Sequence, residues 1–549
     1  MDIAISGSNN KLNSFTVREL LYYAYFAVML TTKGFGFYVG QKVYTLSLII
    51  GAILIIAKIL CTKHSLYEWA VIVLLCALGV AIYFHSDEVG AMIIIATVIG
   101  MKDVSLKKVM ALGACIWAFT YFSMMFITLV GLKRDIFKVQ NKFGLGFIVR
   151  WSLGQPHPNV LQISFILFCA FLLYLLGFKG KKLYITSAIM LLGNFYVFMY
   201  SLSVTGIALA VVYLVMNIYL TELRDKIWKK EDFHIAEKIL FIAAVPVFAT
   251  FSILAPNLLT GKVWDFFNKL FNTRFNIARE YMRLNPITLF GTGYCNELPT
   301  DLNNLDCSYV FALMHYGIIF FALMVTGYTI LVIYQIKKNM RIELAITIAL
   351  ALTAVSEPFF VNTSFKNISW LFIGELLFTG LKWLEEKYKL PEIQVLKIGD
   401  ETKNLPVDKV VGLGKSLLAT YRRFPKIIFG IAAMLGIFAG CLYGTFKEMP
   451  HAYYLNRNNV QVIDKGFYLD KDNLPEDFDG VFLEYTSPET VMFRIDGSAV
   501  KAEYVRGVVS FMVWGFLIVS IGLGISINRI AKTEIGEGSN GTDSNNSGS

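Results

Sequence analysis

Residues 159–178 read NVLQISFILFCAFLLYLLGF, a stretch of twenty residues without one charged side chain. An α-helix needs about 20 mostly apolar residues to cross the hydrocarbon core of a bilayer, so this stretch predicts a transmembrane helix. Because many more such stretches occur, we predict an all-α polytopic membrane protein with about 14 transmembrane helices. The other stretches are 20–39, 43–60, 68–84, 88–101, 107–131, 183–200, 203–221, 239–259, 308–335, 343–360, 367–384, 427–446 and 507–527.

The composition of the whole chain points to the same class of protein. Of the 549 residues, 56% are hydrophobic and only 16% carry a charged side chain. A soluble globular protein has about a quarter charged residues, so the surplus of apolar residues must face lipid. The composition therefore excludes a soluble enzyme, a disordered chain and a protein that reads nucleic acid.

The orientation of the helices is predicted from the basic residues, which number 50 against 40 acidic residues and give a net charge of +10. Cytoplasmic loops of membrane proteins collect lysine and arginine, and the bias is read from the short loops. A cytoplasmic N-terminus puts every basic pair of the short loops, and one in a longer connector, on the cytoplasmic side. We therefore predict a multi-pass plasma-membrane protein with both termini in the cytoplasm. The pairs are Lys107-Lys108, Lys181-Lys182, Lys229-Lys230, Lys337-Lys338 and Arg422-Arg423.

Three long segments then lie outside the membrane, at 132–158, 260–307 and 447–506. Long ordered loops are where binding and catalysis tend to occur, so we expect an extracytoplasmic active site. The predicted domains are a membrane-embedded core at 1–384, a cytoplasmic connector at 385–426, a two-span hairpin at 427–527 and a disordered cytoplasmic tail at 528–549.

The third outside segment predicts a small extracytoplasmic β module near the C-terminus. Apolar residues alternate with polar ones at 460–463, 480–483 and 491–495, with Asp-rich turns between them, as is typical of short strands. The module could bind glycan, dock a partner or control chain length. A stabilising cover over the other outside loops is the structural alternative.

The first outside segment ends with Arg150 and, after a turn of glycine and proline, with His157. An arginine beside a membrane face suits a phosphate or diphosphate, because its guanidinium donates hydrogen bonds in a planar fork. His157 stands between Pro156 and Pro158 at the start of the next span. It is a candidate catalytic residue, and the structural alternative is that the prolines only start the helix and His157 caps it.

The second outside segment carries three arginines, Arg274, Arg279 and Arg283, as candidates for binding a diphosphate. If this stretch is a helix, Arg279 and Arg283 share one face and Arg274 occupies the helix start. The alternative is an ordinary amphipathic helix at the membrane interface. Gly291 and Gly293 follow in a turn that allows close approach of the backbone, which makes them candidates for lining a cavity.

Asp306 comes at the outer end of the span that contains Tyr309. Its carboxylate can accept a proton from a sugar hydroxyl, or it can cap the following helix, and the two roles are compatible. Glu357 lies at another outside turn and could line the same cavity together with Tyr309. A disulfide between Cys295 and Cys307 of the second segment is left open. The sequence contains no HExxH, CxxC, P-loop or dinucleotide motif, so we expect neither a metal nor a cofactor.

These motifs, in this order, resemble the O-antigen polymerase and O-antigen ligase superfamily, the Wzy-like proteins of polysaccharide assembly. The resemblance covers residues 17–384. Each motif is loose alone, but their placement in the outside loops is specific. They are Gly154-Gln155-Pro156-His157-Pro158-Asn159, Thr273-Arg274, Leu289-Phe290-Gly291-Thr292-Gly293-Tyr294, Asp306-x-Ser308-Tyr309 and Tyr316-Gly317-Ile318.

The resemblance implies a metal-independent, inverting glycosyltransferase with a GT-C-like membrane fold. Such enzymes move a glycan from undecaprenyl diphosphate to an acceptor hydroxyl on the outer face. By the match, Arg150 and Arg274 correspond to arginines that engage the diphosphate, and His157 to the motif histidine near the carrier. Ligases of the superfamily have a His-Asn-like pair where this chain has Asp306-Cys307-Ser308. Asp-x-Ser-Tyr is more similar to polymerases of Gram-positive capsules and exopolysaccharides.

The sequence therefore predicts a polysaccharide polymerase that joins lipid-linked repeat units, with the undecaprenyl-diphosphate-linked glycan as donor and acceptor. A flippase and a chain-length regulator are candidate protein partners in the bilayer, and nucleic acid is not expected. A ligase that transfers glycan to another acceptor is the first alternative. The second is a transporter of lipid-linked oligosaccharide, although the chain shows no internal repeat of the kind common in transporters.

Overall fold

The computed structural model describes residues 14–141, 147–229, 232–293, 305–388, 391–397, 402–404, 407–458, 480–486 and 490–540. Most of these residues are helical. The helices are α1 (Val17–Gly34), α2 (Lys42–Cys61), α3 (Leu66–Ser86), α4 (Gly90–Ile99), α5 (Leu106–Leu129), α6 (Pro158–Leu176), α7 (Gly180–Ser201), α8 (Val204–Ile218), α9 (Arg224–Trp228), α10 (Ile235–Leu258), α11 (Gly261–Leu270), α12 (Arg274–Leu284), α13 (Ser308–His315), α14 (Gly317–Lys337), α15 (Arg341–Thr353), α16 (Ser369–Tyr388), α17 (Val407–Arg423), α18 (Pro425–Phe446) and α19 (Gly497–Asn540).

Short irregular helices and strands connect these elements. A π-helical stretch, Tyr219–Leu223, continues α8 into α9, and a 3₁₀ turn, Pro358–Phe360, follows α15. The strands are β1 (Ser14–Thr16), β2 (His64–Ser65), β3 (Phe137–Asn141), β4 (Phe147–Trp151), β5 (Glu392–Ile393), β6 (Thr402–Asn404), β7 (Ala452–Asn458), β8 (Val481–Thr486) and β9 (Thr490–Asp496).

Among the described residues, ten helices are long and apolar enough to cross a membrane, which is consistent with a polytopic membrane protein. Each coincides with one of the fourteen predicted spans. The other four predicted spans also hold helices, but α4 has 10 residues and α15 has 13, while α1 and α16 carry more charged side chains. The count of fourteen stays a prediction. The ten are α2, α3, α5, α6, α7, α8 with α9, α10, α14, α18 and α19.

The chain divides into two compact units, residues 1–136 with 152–403 and residues 137–151 with 404–549. In the first unit, α6 is the most buried of the ten apolar helices and packs on α5, α7 and α8. Capping boxes fix the start of α1 through Thr16 and Glu19 and the start of α3 through Ser65 and Glu68. The non-helical starts of α6, α12 and α13 also belong to this unit, and they carry the candidate site.

The second unit contains the predicted β module, in an antiparallel sheet of order β7-β9-β8. Strands β8 and β9 confirm two of the predicted strands, whereas 460–463 lies outside the described residues. The hairpin of β3 and β4 also belongs to this unit, although we predicted it as a loop of the membrane core. Its Phe137, Val139 and Val149 share one apolar core with Val481 and Phe493. Strands β3 and β4 pair with each other, so the apolar face of this hairpin must still be buried against another element.

Two helices of the second unit, α18 and α19, pack closely against each other. A Cβ atom on Gly436 would lie 2.6 Å from the backbone oxygen of Met512, so only glycine permits this approach. Helix α19 continues to Asn540, so residues 528–540, which we predicted as disordered, are helical. Residues 528–535 contain no proline or glycine that would end the helix.

Candidate functional site

A charge cluster surrounds Arg274, the first residue of α12. Nη2 of Arg274 lies 3.2 Å from Oδ2 of Asp306 and 3.1 Å from Oε1 of Glu357, and Nη1 donates to the carbonyl of Phe271. The chain enters the helix through Thr273, whose φ of 67° is in the left-handed region. This turn brings the buried guanidinium between two carboxylates that are 32 and 83 residues further along the chain.

Glu357 joins the cluster to the starts of two helices. Its Oε1 accepts a hydrogen bond of 3.1 Å from Nδ2 of Asn159, in the first turn of α6. Its backbone carbonyl accepts a hydrogen bond of 2.6 Å from the hydroxyl of Ser308. That hydroxyl in turn accepts a hydrogen bond from the backbone N–H of Phe360. Residues from three other segments of the chain therefore contact Glu357 or Arg274 beside it, and Glu357 is 2% exposed and cannot itself meet a ligand without rearrangement.

Asp306 differs from Glu357 in exposure, because 40% of its side chain is open. The predicted capping role of Asp306 is not what the structure shows, since the N-cap of α13 is Cys307. An open carboxylate held by an arginine is placed to accept a proton from a hydroxyl that approaches it. Cys307 is a free, buried cysteine, and Cys295 lies outside the described residues.

His157 is the N-cap of α6, as the structural alternative predicted. Its Nδ1 accepts from the backbone N–H of Asn159 at 3.0 Å, and Pro158 occupies the first helical position. The loop before it is held by Asp135, whose carboxylate accepts from the N–H groups of Leu153 and Gly154 at 3.1 and 3.0 Å. Burial raises the pKa of Asp135 to about 6. His157 therefore lies two residues from the cluster but serves the helix start.

The other predicted arginines take part in different contacts. Helix α12 is confirmed, but Nε of Arg279 donates to the carbonyl of Pro256 at 2.6 Å, and its guanidinium lies 4.5 Å from the ring centroid of Trp264. Arg283 is exposed and forms an ion pair of 2.8 Å with Glu280. Arg150 belongs to the second unit, where it is buried and donates to Gln140.

The turn at Gly291 packs against the end of α13, as its glycines suggested. A Cβ atom on Gly291, whose φ is +89°, would lie 2.0 Å from the carbonyl oxygen of His315. His315, which sequence reasoning missed, bridges this turn to α12, with Nδ1 2.9 Å from the carbonyl of Thr292 and Nε2 3.3 Å from the hydroxyl of Tyr281. That hydroxyl donates to the carbonyl of Gly293.

Tyr309, predicted to line a cavity, is fully buried and donates to the carbonyl of Ala351 at 3.0 Å. Two cavities in the first unit have other walls, which share Phe359, Phe360 and Lys366. Each has room for about one water molecule. The prediction that Tyr309 and Gly293 line a ligand cavity therefore gains no support from these two cavities.

Lys366 and Lys33 are functional candidates that sequence reasoning also missed. Each is 5% exposed. Nζ of Lys366 lies 5.6 Å from the ring centroids of Trp117 and Phe359, and Nζ of Lys33 lies 3.7 Å from that of Tyr44. The hydroxyl of Tyr44 donates to the carbonyl of Thr363 at 3.5 Å, which joins the surroundings of Lys33 to the turn that carries Lys366. Burial lowers the pKa of Lys366 to about 7.

Lys33 could have been found from the sequence, because it interrupts a predicted span and an ionisable residue in such a place is a functional candidate by default. In the part of the chain that the structure describes, no group of three or more His, Cys, Asp and Glu side chains could hold a metal ion. No protein-family model, curated protein or solved structure matches the chain.

Proposed function

We propose that the protein is a polysaccharide polymerase that joins undecaprenyl-diphosphate-linked repeat units at the outer face of the plasma membrane. The reaction would be an inverting, metal-independent glycosyl transfer in a GT-C-like fold. The proposal rests on the motif resemblance and on one observation in the structure. Arg274 contacts both Asp306 and Glu357, and Glu357 accepts a hydrogen bond from Asn159, so residues of three resembling motifs form one cluster although they are far apart in the chain.

The chemistry of the transfer assigns a role to Asp306. An acceptor hydroxyl attacks the anomeric carbon, the new glycosidic bond forms as the bond to the diphosphate oxygen breaks, and the hydroxyl proton must leave. Asp306 is the carboxylate of the cluster that is open enough to accept that proton. Arg274 fixes its position, and Glu357, bound to Asn159 and Ser308 through its carboxylate and carbonyl, fixes Arg274.

The leaving diphosphate needs positive charge as its own negative charge grows in the transition state. Arg274 alone supplies little of it, because the cluster has one guanidinium against two carboxylates and a net charge of −1. The geometry therefore favours Arg274 as a positioning residue for the base. The charge that stabilises the leaving group must come from other cations.

The test is a cell-free assay with purified protein, lipid-linked repeat unit and EDTA, in which the products are separated on a gel. The wild type should give a ladder of products, and Asp306→Asn should lower the rate about 10²- to 10⁴-fold. Glu280→Gln, which makes the same change of carboxylate to amide on α12, should leave the ladder unchanged.

Other outcomes would contradict the proposal. Asp306→Asn with a normal rate would remove Asp306 as the base. Transfer to a different acceptor without a ladder would indicate a ligase. Substrate that crosses liposome membranes unextended would indicate a transporter.

A further inference from the structure

Lys33 and Lys366 stand out because the fold gives neither ammonium group an acidic partner. Among the residues that the structure describes, no carboxylate lies within 4.0 Å of either Nζ atom, although both side chains are 95% buried. Burying an unpaired charge carries a large desolvation cost. Contacts with the rings of Tyr44, Trp117 and Phe359 offset only part of that cost.

Other buried lysines of the same unit have hydrogen-bond or ion-pair partners within the fold. Nζ of Lys58 donates to Thr62 at 3.0 Å and to the carbonyl of Lys102 at 2.7 Å, and Lys102 forms an ion pair with Glu68. This fold therefore satisfies a buried lysine where the role is structural. The exception at Lys33 and Lys366 indicates that their partner is a ligand.

We infer that Lys33 and Lys366 bind the phosphate oxygens of a polyprenyl diphosphate. Phosphate oxyanions are what buried cations without carboxylate partners would select. The choice of a polyprenyl carrier over other phosphates rests on the proposed function, whereas the selection of an oxyanion does not. The protonated lysines are positively charged, whereas the Arg274 cluster has two carboxylates against one guanidinium, so an anion is attracted to the lysines and not to the cluster.

The segments that carry the lysines are also those that build the cluster. Lys366 lies nine residues after Glu357, and Phe359 from the intervening turn contacts its ammonium group. On the other side, Nε2 of Gln155, in the loop that leads to His157, lies 3.4 Å from the carbonyl of Gly34 next to Lys33. A diphosphate on the lysines would therefore have its sugar near the segments that hold Asp306.

The turn that presents Lys366 is tightly held. Phe365 before it has a φ of 58°, in a region that bulky residues avoid, and its ring packs on Tyr25 and Phe26. After it, Nδ2 of Asn367 donates to the carbonyl of Phe360 at 2.9 Å. Lys366 thus has a fixed position, and because the adjoining cavities hold about one water each, an entering phosphate must widen them.

The test measures binding without turnover, by calorimetry on the purified full-length protein in phosphatidylcholine nanodiscs. The probes are geranylgeranyl diphosphate, inorganic pyrophosphate and geranylgeraniol, and phosphatidylglycerol nanodiscs form a fourth arm. Geranylgeranyl diphosphate should bind, and Lys33→Met and Lys366→Met should each weaken it about tenfold or more. Lys42→Met, at an exposed lysine of α2, should bind as the wild type does.

Each other result decides against part or all of the inference. Unchanged affinity in both Lys33→Met and Lys366→Met overturns the site, and Lys366→Arg, which keeps the positive charge, should retain binding. Equal binding of pyrophosphate overturns the polyprenyl carrier but supports the oxyanion site. Loss of binding in phosphatidylglycerol nanodiscs assigns the lysines to lipid headgroups. Because no glycan is transferred, failure of the polymerase assay leaves these results standing, and the two proposals fail separately.

Discussion

The first unit buries charge in two opposite ways. At Arg274 one cation is held by Asp306 and Glu357, and the cluster keeps a net negative charge. At Lys33 and Lys366 two cations are held by aromatic rings and by no carboxylate of the described residues. In the first arrangement the fold itself supplies carboxylate partners for the cation, whereas the second carries an electrostatic cost that an anion would remove.

This contrast suits a transfer reaction in which proton acceptance and binding of the leaving group occur in two different regions of the protein. A proton acceptor must be held in position before the substrate arrives, and Arg274 holds Asp306 through an ion pair. A site for a leaving diphosphate gains most if its cations are unpaired beforehand, because a resident carboxylate would compete with the ligand. The predictions below test whether the two regions differ in this way.

The largest expected effect on stability is at the Arg274 cluster. Arg274→Met leaves Glu357, which is 2% exposed, as a buried carboxylate without its arginine. Removing one partner of a buried ion pair costs about 3–5 kcal/mol, so the free energy of unfolding should fall by that amount. Chemical unfolding of the purified protein in detergent would measure it.

Two variants provide the controls for this prediction. Arg283→Met removes an exposed ion pair on the same helix and should cost less than about 1 kcal/mol. The double variant Arg274→Met with Glu357→Met removes both charges, so it should be more stable than Arg274→Met alone. A single variant as stable as the wild type would show that Arg274 and Glu357 are not coupled.

These two regions show which features of the protein could be predicted from its sequence. The helices that hold them could be predicted, because about 20 apolar residues in a row are a local signal. The cap at His157 and the helix that starts at Arg274 are local signals as well. The partnership of Arg274 with Glu357 could not be predicted, since 83 residues separate them and packing alone brings them together. The lysine pair was missed for the same reason, since 333 residues separate Lys33 from Lys366.

The β module shows the same limit at larger scale. Alternation of apolar residues predicted β8 and β9, yet nothing local indicates that the hairpin of β3 and β4 completes their core. Its apolar residues, Phe137, Val139 and Val149, fit a membrane-proximal loop equally well when read alone. A long-range contact of this kind depends on which surfaces remain uncovered after the local elements have formed.

Ligand binding at Lys33 and Lys366 should depend on pH. Burial lowers the pKa of Lys366 to about 7, the charged group facing it among the described residues is Lys33 of α1, and its neighbours Trp117 and Phe359 do not titrate. An ammonium group that loses its proton near neutral pH holds an anion best below that pH. The affinity for pyrophosphate should therefore fall about tenfold from pH 6 to pH 8, measured by calorimetry.

The matched control for this dependence is Lys366→Arg, because a guanidinium stays protonated throughout the range. The ionisation of pyrophosphate is the same for both proteins, so the difference between the two pH profiles isolates Lys366. If the two profiles coincide, Lys366 does not contact the anion and the contrast with the Arg274 cluster loses its basis.

The smallest expected effect has the opposite sign to that of Arg274→Met. At pH 6 the folded protein holds Lys366 charged and unpaired, so Lys366→Met should raise the free energy of unfolding by about 1 kcal/mol. The pKa of Lys366 is lower in the folded than in the unfolded chain, so its destabilising effect is full below pH 7 and is relieved as the pH rises toward the ordinary lysine value. The advantage of Lys366→Met should therefore shrink between pH 7 and pH 10 in chemical unfolding, while Lys42→Met stays near zero throughout. A Lys366→Met protein less stable than the wild type at pH 6 would mean that the ammonium group already has its partner in the fold, and the two regions would then be alike.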